Sequence, residues 1–166
     1  MCPSKVADGD ERGFIIPIGG AEEKDHDPRI LKRFVRLCGG EDADIVVIPT
    51  ASRMEDTGSR YERIFGELGA ARVTALNFTE RADGNREDWL ERLTRASGVF
   101  FTGGDQLRLS TMLGGTRAAK LIRQANAAGV TVGGTSAGAS ILSEHMIAFG
   151  SEGGSPRADS VRLAPG

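Results

Sequence analysis

The sequence predicts an open, doubly wound α/β domain with a mainly parallel sheet. Five short apolar runs alternate with segments in which apolar residues recur at helical spacing, a pattern typical of βα crossover units. Most of these runs lack the alternation of apolar and polar residues, as expected of strands that helices cover on both faces. The 166 residues fit one domain. Part of a larger (β/α)₈ barrel is the weaker alternative because the chain is short for that fold.

The first two apolar runs of the chain end at glycine or proline, and the first two helical segments end at glycine. The first helix is predicted to begin at Asp27, the N-cap, with Pro28 as its first residue, and to end at Gly39 and Gly40. A third helix is predicted to begin at Asn85. The sequence therefore predicts strands over 14–18, 45–48 and 73–78, and helices over 28–38, 61–68 and about 86–93.

The second half of the chain repeats this alternation with more glycine in the turns. A strand is predicted at 99–101, followed by helices over 107–113 and 116–128, a strand at 130–132 and a helix over 140–149. The last segment, 150–166, is polar and has no period. Glycine, 23 of 166 residues, has about twice its usual share of about 7%, and it clusters in the turns after the predicted strands.

Composition and termini limit the cellular setting. Residues 1–12 are polar and acidic, which predicts a disordered tail before a single domain at 13–166. The start has no signal-peptide pattern, and no apolar run approaches about 18 residues, so we expect a cytoplasmic chain without a membrane span. The net charge of −2 argues against nucleic acid as a partner. Cys2 and Cys38 form no metal-binding pattern, so we expect no metal and no cofactor.

The segment Gly134-Thr135-Ser136-Ala137-Gly138 matches the G-x-S-x-G pattern of a nucleophile elbow. The pattern places a serine on a sharp strand-to-helix turn, where small residues two before and two after it allow strand and helix to touch. Ser136 is therefore the candidate nucleophile, and the backbone N–H of Ala137 is the first candidate oxyanion donor. A phosphate-binding turn is the alternative, but no lysine precedes the serine and no G-x-G-x-x-G is present.

A serine nucleophile needs a general base, and the chain has two histidines. His26 lies in a charged loop and is expected to be exposed. His145 lies nine residues beyond Ser136 on the predicted helix, about 13 Å away at about 1.5 Å per residue, and cannot reach the hydroxyl. From the residues alone, the nucleophile has no convincing partner.

Four motifs follow four of the predicted strands, and in this order they resemble the cyanophycinase family. The resemblance covers nearly all of the chain from Gly13 onward. The motifs are Gly19-Gly20-Ala21-Glu22, Ile48-Pro49-Thr50-Ala51-Ser52, Phe101-Thr102-Gly103-Gly104-Asp105-Gln106, and Gly133-Gly134-Thr135-Ser136-Ala137-Gly138-Ala139.

The resemblance implies a serine-type exopeptidase with a fold like the class I glutamine amidotransferases, which is flavodoxin-like. Such enzymes degrade cyanophycin, an aspartate backbone with arginine on each β-carboxyl, to β-aspartyl-arginine, and would do so through an acyl-enzyme on Ser136. It implies that Gln106 and Asp105 bind substrate and that Gly104 is a second oxyanion donor. It also suggests a homodimer. Glu22 and Glu23 are interpreted as loop charges without a site role.

The resemblance also has a gap. In the family, the catalytic histidine lies in a later Asp-Gln-His-Phe segment, with a glutamate beyond it, and the printed sequence ends before either. We therefore expect the N-terminal part of a cyanophycinase, lacking its C-terminal strands. An aspartyl dipeptidase and a non-catalytic, truncated binding protein remain the alternatives.

Overall fold

Five parallel strands form the central sheet of the computed structural model, which describes residues 3–149 and 162–166. The strands are β1 (Ile15–Ile18), β2 (Asp44–Ile48), β3 (Arg72–Ala75), β4 (Gly98–Phe101) and β5 (Thr131–Thr135). Their order in the sheet is β1-β5-β4-β2-β3. The predicted parallel α/β sheet is confirmed.

The strand ends align at one edge of the sheet. Ile18 pairs with Thr135, Phe101 pairs with Gly134, and Ile48 pairs with Phe101. Because all five strands run in the same direction, the turns after β1, β2, β4 and β5 meet at this edge. Strands β1, β5 and β4 are consecutive neighbours, so the glycine-rich turns that follow them lie side by side.

Helices cover both faces of the sheet. They are α1 (Arg29–Leu37), α2 (Thr57–Glu67), α3 (Glu87–Thr94), α4 (Gln106–Leu113), α5 (Arg117–Ala127) and α6 (Ala137–Ile141), with 3₁₀ turns at Gly40–Asp42 and Arg81–Asn85. Alternate residues of β2 belong to two separate cores. Ile45 and Val47 pack with α1 and α2, while Val46 and Ile48 pack with the side that holds α3 to α6.

This arrangement creates a crevice between β1 and β5. The chain leaves β1 toward the face that carries α1, whereas it leaves β5 toward the face that carries α6. Neighbouring strands whose connections diverge to opposite faces leave room for a ligand beyond their carboxyl ends. The fold therefore places the turn before α6 beside a natural binding crevice.

The prediction of a helix over 140–149 is wrong. Helix α6 ends at Ile141, and His145–Phe149 forms a strand, β6, which pairs antiparallel with β7 (Arg162–Pro165). The hydroxyl of Ser143 lies 2.7 Å from the carbonyl oxygen of Ser140 and 2.8 Å from that of His145, in the turn between the two elements. Of the segment predicted to have no period, 150–161 lies outside the described residues.

Smaller differences have local causes. Strand β5 continues through Gly133 and Gly134, which were predicted to lie in a loop, because both residues pair with β1 and β4. Position 133 is a glycine since a Cβ there would lie 2.8 Å from the Phe34 ring. The third strand ends at Ala75 rather than at 78, since the N–H of Phe78 donates to Oγ1 of Thr50 instead. Arg86, not Asn85, is the N-cap of α3.

The segment before β1 makes side-chain contacts with the domain. Residues 3–12 contain no helix or strand, and Arg12 donates to Oδ1 of Asn126 at 3.0 Å. The boundary at residue 12 stays a prediction. Among the described helices, none is long and apolar enough to cross a bilayer.

Candidate active site

Ser136 occupies a strained turn between β5 and α6. Its φ of 52° and ψ of −112° are rare for a residue with a side chain. The surroundings hold this conformation: the N–H of Ser136 donates to the carbonyl oxygen of Ile18 at 2.9 Å, and its own carbonyl oxygen accepts from Ala139 at 2.9 Å. The side chain is exposed. A strained, exposed serine between strand and helix is the geometry of a nucleophile elbow.

The small residues around Ser136 are required by backbone contacts. A Cβ at position 134 would lie 2.4 Å from the carbonyl oxygen of Gly138, and a Cβ at 138 would lie 2.2 Å from that of Phe101. Both distances are too short for any side chain. The spacing of two residues on either side of Ser136 thus reflects direct contact between β5, α6 and β4.

Two further glycines keep the space around the hydroxyl open. A Cβ at position 20 would lie 3.2 Å from Cβ of Ser136 and 3.7 Å from its Oγ. A Cβ at position 103 would lie 3.4 Å from the same Cβ. The turns after β1 and β4 therefore flank the serine from two sides.

Ser136 lines a cavity of about 200 Å³ built from four turns. The walls come from the segments that follow β1, β2 and β4 and from the end of β5. The lining residues are Ala21, Glu22, Lys24, Ser52, Thr57, Tyr61, Thr102, Gly103, Thr135 and Ser136. The four motifs of the sequence thus meet at one cavity.

Glu22 is the buried centre of this cavity wall, so its interpretation as a loop charge is wrong. Its Oε1 accepts from Oη of Tyr61 at 2.7 Å and faces Nζ of Lys24 at 2.8 Å. Its Oε2 accepts from Oγ1 of Thr135. Burial alone would raise the pKa of Glu22, but the hydrogen bonds from Lys24, Thr135 and Tyr61 outweigh it and lower that pKa below 4.5. Glu22 is therefore held as a carboxylate.

The neighbours of Glu22 divide into a buried donor and an exposed charge. Burial, and next the hydrogen bond to Glu22, raise the pKa of Tyr61, so its hydroxyl stays a donor. Glu23 is exposed and accepts from the backbone N–H groups of Asp25 and His26 at 2.8 and 3.1 Å.

Sequence reasoning did not single out Tyr61, Lys24 or Thr135. The one available signal was the tyrosine on the apolar face of α2, which needs an acceptor when buried.

Ala137 and Gly104, the predicted oxyanion donors, each follow a residue that lines the cavity, and their role stays a prediction. Ala137 is buried and begins α6, directly after the serine. Gly104 follows Gly103, which flanks Ser136. A Cβ at 104 would lie 2.1 Å from the carbonyl oxygen of Ala51, and its φ is +140°, so only glycine fits there.

Asp105 and Gln106 lie at the start of α4 and are not among the described residues that line the cavity. Oδ1 of Asp105 caps the helix by accepting from the N–H groups of Leu107 and Arg108, each at 3.0 Å. Nε2 of Gln106 donates to the carbonyl oxygen of Ile147 in β6 at 3.0 Å. Their roles in substrate binding stay predictions.

Neither histidine belongs to the described wall of the cavity. His26 is exposed, and its N–H donates to the Glu23 carboxylate. His145 is exposed and begins β6 rather than lying on the helix of Ser136. Within residues 3–149 and 162–166, no three His, Cys, Asp or Glu side chains cluster closely enough to hold a metal ion.

Comparison with known proteins identifies the family. The model of peptidase family S51 matches residues 14–161. This chain belongs to peptidase family S51. Within that family, it is 46% identical over 158 residues to the cyanophycinase of Geminocystis herdmanii, covering 93% of this chain and 58% of the relative. It is 44% identical over 157 residues to the cyanophycinase of Thermosynechococcus vestitus, covering 93% of this chain and 49% of the relative.

These relatives confirm the resemblance to cyanophycinases that the four motifs indicated. This S51 chain spans 49–58% of the length of the two relatives. Solved structures show the same fold. A peptidase from an acI-B1 actinobacterium matches with a TM-score of 0.69 at 24% identity, over 82% of this chain and 59% of the other. A putative peptidase E protein from Listeria monocytogenes matches with a TM-score of 0.57 at 24% identity, over 81% and 63%.

Proposed function

We propose that this chain carries the nucleophile of a cyanophycinase, a serine-type exopeptidase that releases β-aspartyl-arginine from cyanophycin. The observation that carries the proposal is the strained, exposed Ser136 at the meeting point of four strand-end turns. The cyanophycinases among its relatives support the choice of substrate. The chain spans about half the length of those relatives. Hydrolysis therefore has to be measured on this chain and is not carried over from the relatives.

The chemistry begins with attack of Oγ of Ser136 on the carbonyl carbon of the scissile peptide bond. The carbonyl oxygen becomes an oxyanion, which the N–H groups of Ala137 and Gly104 stabilise, and loss of either donor costs about 10²–10³ in rate. Expulsion of the amine leaves an acyl ester on Ser136, which water then hydrolyses. The proton of Oγ passes to a general base and from there to the nitrogen of the departing amine. No histidine in the described cavity wall fills that role.

Asp105 has one carboxylate oxygen placed for a cationic substrate. Its Oδ1 caps α4, while its Oδ2 lies 3.8 Å from Arg53, whose side chain is 85% exposed. A long, exposed ion pair of this kind contributes about 0–1 kcal/mol, so a substrate guanidinium can replace Arg53. Cyanophycin carries one guanidinium per repeat, which fits Asp105 as a substrate residue beside Gln106.

The test measures the rate at which β-aspartyl-arginine is released from cyanophycin, with mass spectrometry as the detection method. Ser136→Ala should reduce release by about 10⁴–10⁶-fold, because removing a serine nucleophile has that effect. Ser59→Ala, at an exposed serine of α2, is the matched control and should keep the parent rate. Equal release by Ser136→Ala would contradict the proposal, and faster cleavage of aspartyl dipeptides would favour the aspartyl dipeptidase alternative.

A second candidate is a binding protein that holds aspartyl peptides without turnover. The absence of a histidine from the described cavity wall favours it, since an unactivated serine hydroxyl is a weak nucleophile. The same assay separates the two functions. Saturable binding of β-aspartyl-arginine with no release of product would establish the binding protein and exclude the peptidase for this chain.

A further inference from the structure

Lys24 is the cation in the described wall of the Ser136 cavity. Its ammonium is fixed by two contacts with one residue, since Nζ lies 2.8 Å from Oε1 of Glu22 and 3.1 Å from its carbonyl oxygen. The side chain is 20% exposed, and Nζ lies 6.0 Å from the centre of the Tyr61 ring. An ammonium has three N–H donors, so these two contacts orient it and leave one donor for a ligand.

The pair of Glu22 and Lys24 presents positive charge to the cavity although its net charge is zero. The Glu22 side chain is 1% exposed, and its oxygens already accept from Tyr61 and Thr135 besides Lys24. Because its side chain is 1% exposed, Glu22 has no accessible carboxylate oxygen to offer a ligand. The exposed part of the pair is the Lys24 side chain, which lines the same cavity as Ser136.

Arg53, Arg60 and Arg108 are nearby cations, but none of the three is among the described residues that line the cavity. Their recorded partners are Asp105, Asp25 and the carbonyl oxygen of Ser52. Among the described lining residues, Lys24 is therefore the one placed to select a bound group by its charge.

We infer that Lys24 is a specificity-determining residue that binds a substrate carboxylate beside Ser136, with Glu22 as the residue that positions it. The identity of the ligand rests on the proposed function. Each arginine of cyanophycin is joined through its amino group and so keeps a free carboxylate, and the released β-aspartyl-arginine carries two. Lys24 thus discriminates between a peptide end that carries a carboxylate and one that is amidated.

The test compares two ligands on one protein by calorimetry. The protein is the Ser136→Ala form, so that turnover does not enter, and the ligands are β-aspartyl-arginine and its analogue with both carboxylates as carboxamides. The parent should bind the carboxylate form about 10–100-fold more tightly, the range of a charge-assisted hydrogen bond. When Lys24→Gln is added to the Ser136→Ala protein, the ratio of the affinities for the carboxylate and carboxamide ligands should fall close to one. Lys32→Met, at an exposed lysine of α1, is the control and should leave the ratio unchanged.

A double substitution, Glu22→Gln with Lys24→Gln, guards against unfolding caused by an unpaired buried carboxylate. Because both ligands are measured on the same sample, partial unfolding weakens both and leaves their ratio unchanged. A ratio that stays at the parent value in both lysine variants would overturn the inference, as would equal binding of the two ligands by the parent. The proposed function can fail while this inference holds. If the chain does not hydrolyse cyanophycin but the affinity ratio depends on Lys24, turnover is refuted and the carboxylate-binding site stands.

Discussion

Oη of Tyr61 lies 2.7 Å from Oε1 of Glu22, and this hydrogen bond joins α2 to the turn after β1. The other oxygen of the same carboxylate accepts from Thr135, the residue before Ser136. One buried side chain thus connects the elements that surround Ser136. A carboxylate whose side chain is only 1% exposed therefore pre-organises the site.

Glu22 should make the stability of the protein depend on acid. Its pKa is lower in the folded chain than its ordinary value of 4.5, so the unfolded chain binds more protons as the pH falls. The contribution of Glu22 is fully present above pH 4.5 and is lost as the pH falls through the lower, folded pKa. Urea unfolding measures the free energy of unfolding at each pH. Between about pH 5 and pH 3, this free energy should fall less for Glu22→Gln than for wild type. An identical fall in the two proteins would contradict this prediction.

Tyr61→Phe should destabilise the fold by about 1–2 kcal/mol, because it removes a donor from a buried carboxylate without changing the size of the ring. Chemical denaturation measures the change. In a double-mutant cycle with Glu22→Gln, the sum of the single effects should differ from the effect of the double variant by about 0.5–3 kcal/mol. Simple additivity would show that the hydrogen bond does not couple the two residues.

Gly138→Ala should be severely destabilising, by about 3 kcal/mol or more, because its Cβ would lie 2.2 Å from the carbonyl oxygen of Phe101. Gly66→Ala is the matched control, since Gly66 is exposed on α2 and a Cβ there meets nothing within 4 Å. That change should stabilise the protein by about 0.5–1 kcal/mol through helix propensity. Thermal melts of the two variants should therefore shift in opposite directions. A small effect at 138 would mean that β4 and α6 are not in contact.

Backbone strain at Ser136 should lower the free energy of unfolding of any variant that keeps a side chain at this position. With φ at 52°, a residue with a side chain is strained, whereas glycine is not. We therefore expect Ser136→Gly to be about 1 kcal/mol more stable than Ser136→Ala, although neither variant has the nucleophile. Equal unfolding free energies would show that the turn is relaxed.

Two substitutions at Asp105 separate its structural role from its proposed substrate role. Asn is as good an N-cap as Asp, so Asp105→Asn should keep the stability of α4, while Asp105→Ala should lose about 1 kcal/mol. If the carboxylate also binds a guanidinium, Asp105→Asn should still weaken binding of β-aspartyl-arginine in a titration. Unchanged binding by this variant would limit Asp105 to capping.

The strands and the elbow could be predicted because their causes are local. Apolar runs mark strands that are covered on both faces, and Thr116 at the N-cap of α5 marks a helix start. The small residues around Ser136 record contacts within one strand-turn-helix unit. Strand β6 could not be predicted in the same way, since its conformation depends on pairing with β7, which lies beyond residues 150–161 in the chain.

The burial of Glu22 could not be predicted from the sequence for the same physical reason. Its burial depends on Tyr61 and Thr135, which are 39 and 113 positions away in the chain and come together only when the sheet forms. By composition, the segment after β1 resembles an ordinary charged loop. Only the order of the strands reveals that one of its glutamates points inward.

The most direct measurement is peptide mapping by mass spectrometry after treatment with a serine-directed fluorophosphonate. The central claim is that the fold makes Ser136 a reactive nucleophile. We expect a single adduct on the peptide that contains Ser136, absent from Ser136→Ala, with no adduct on the other exposed serines such as Ser59. No adduct at Ser136, or labelling spread over the exposed serines, would contradict the account.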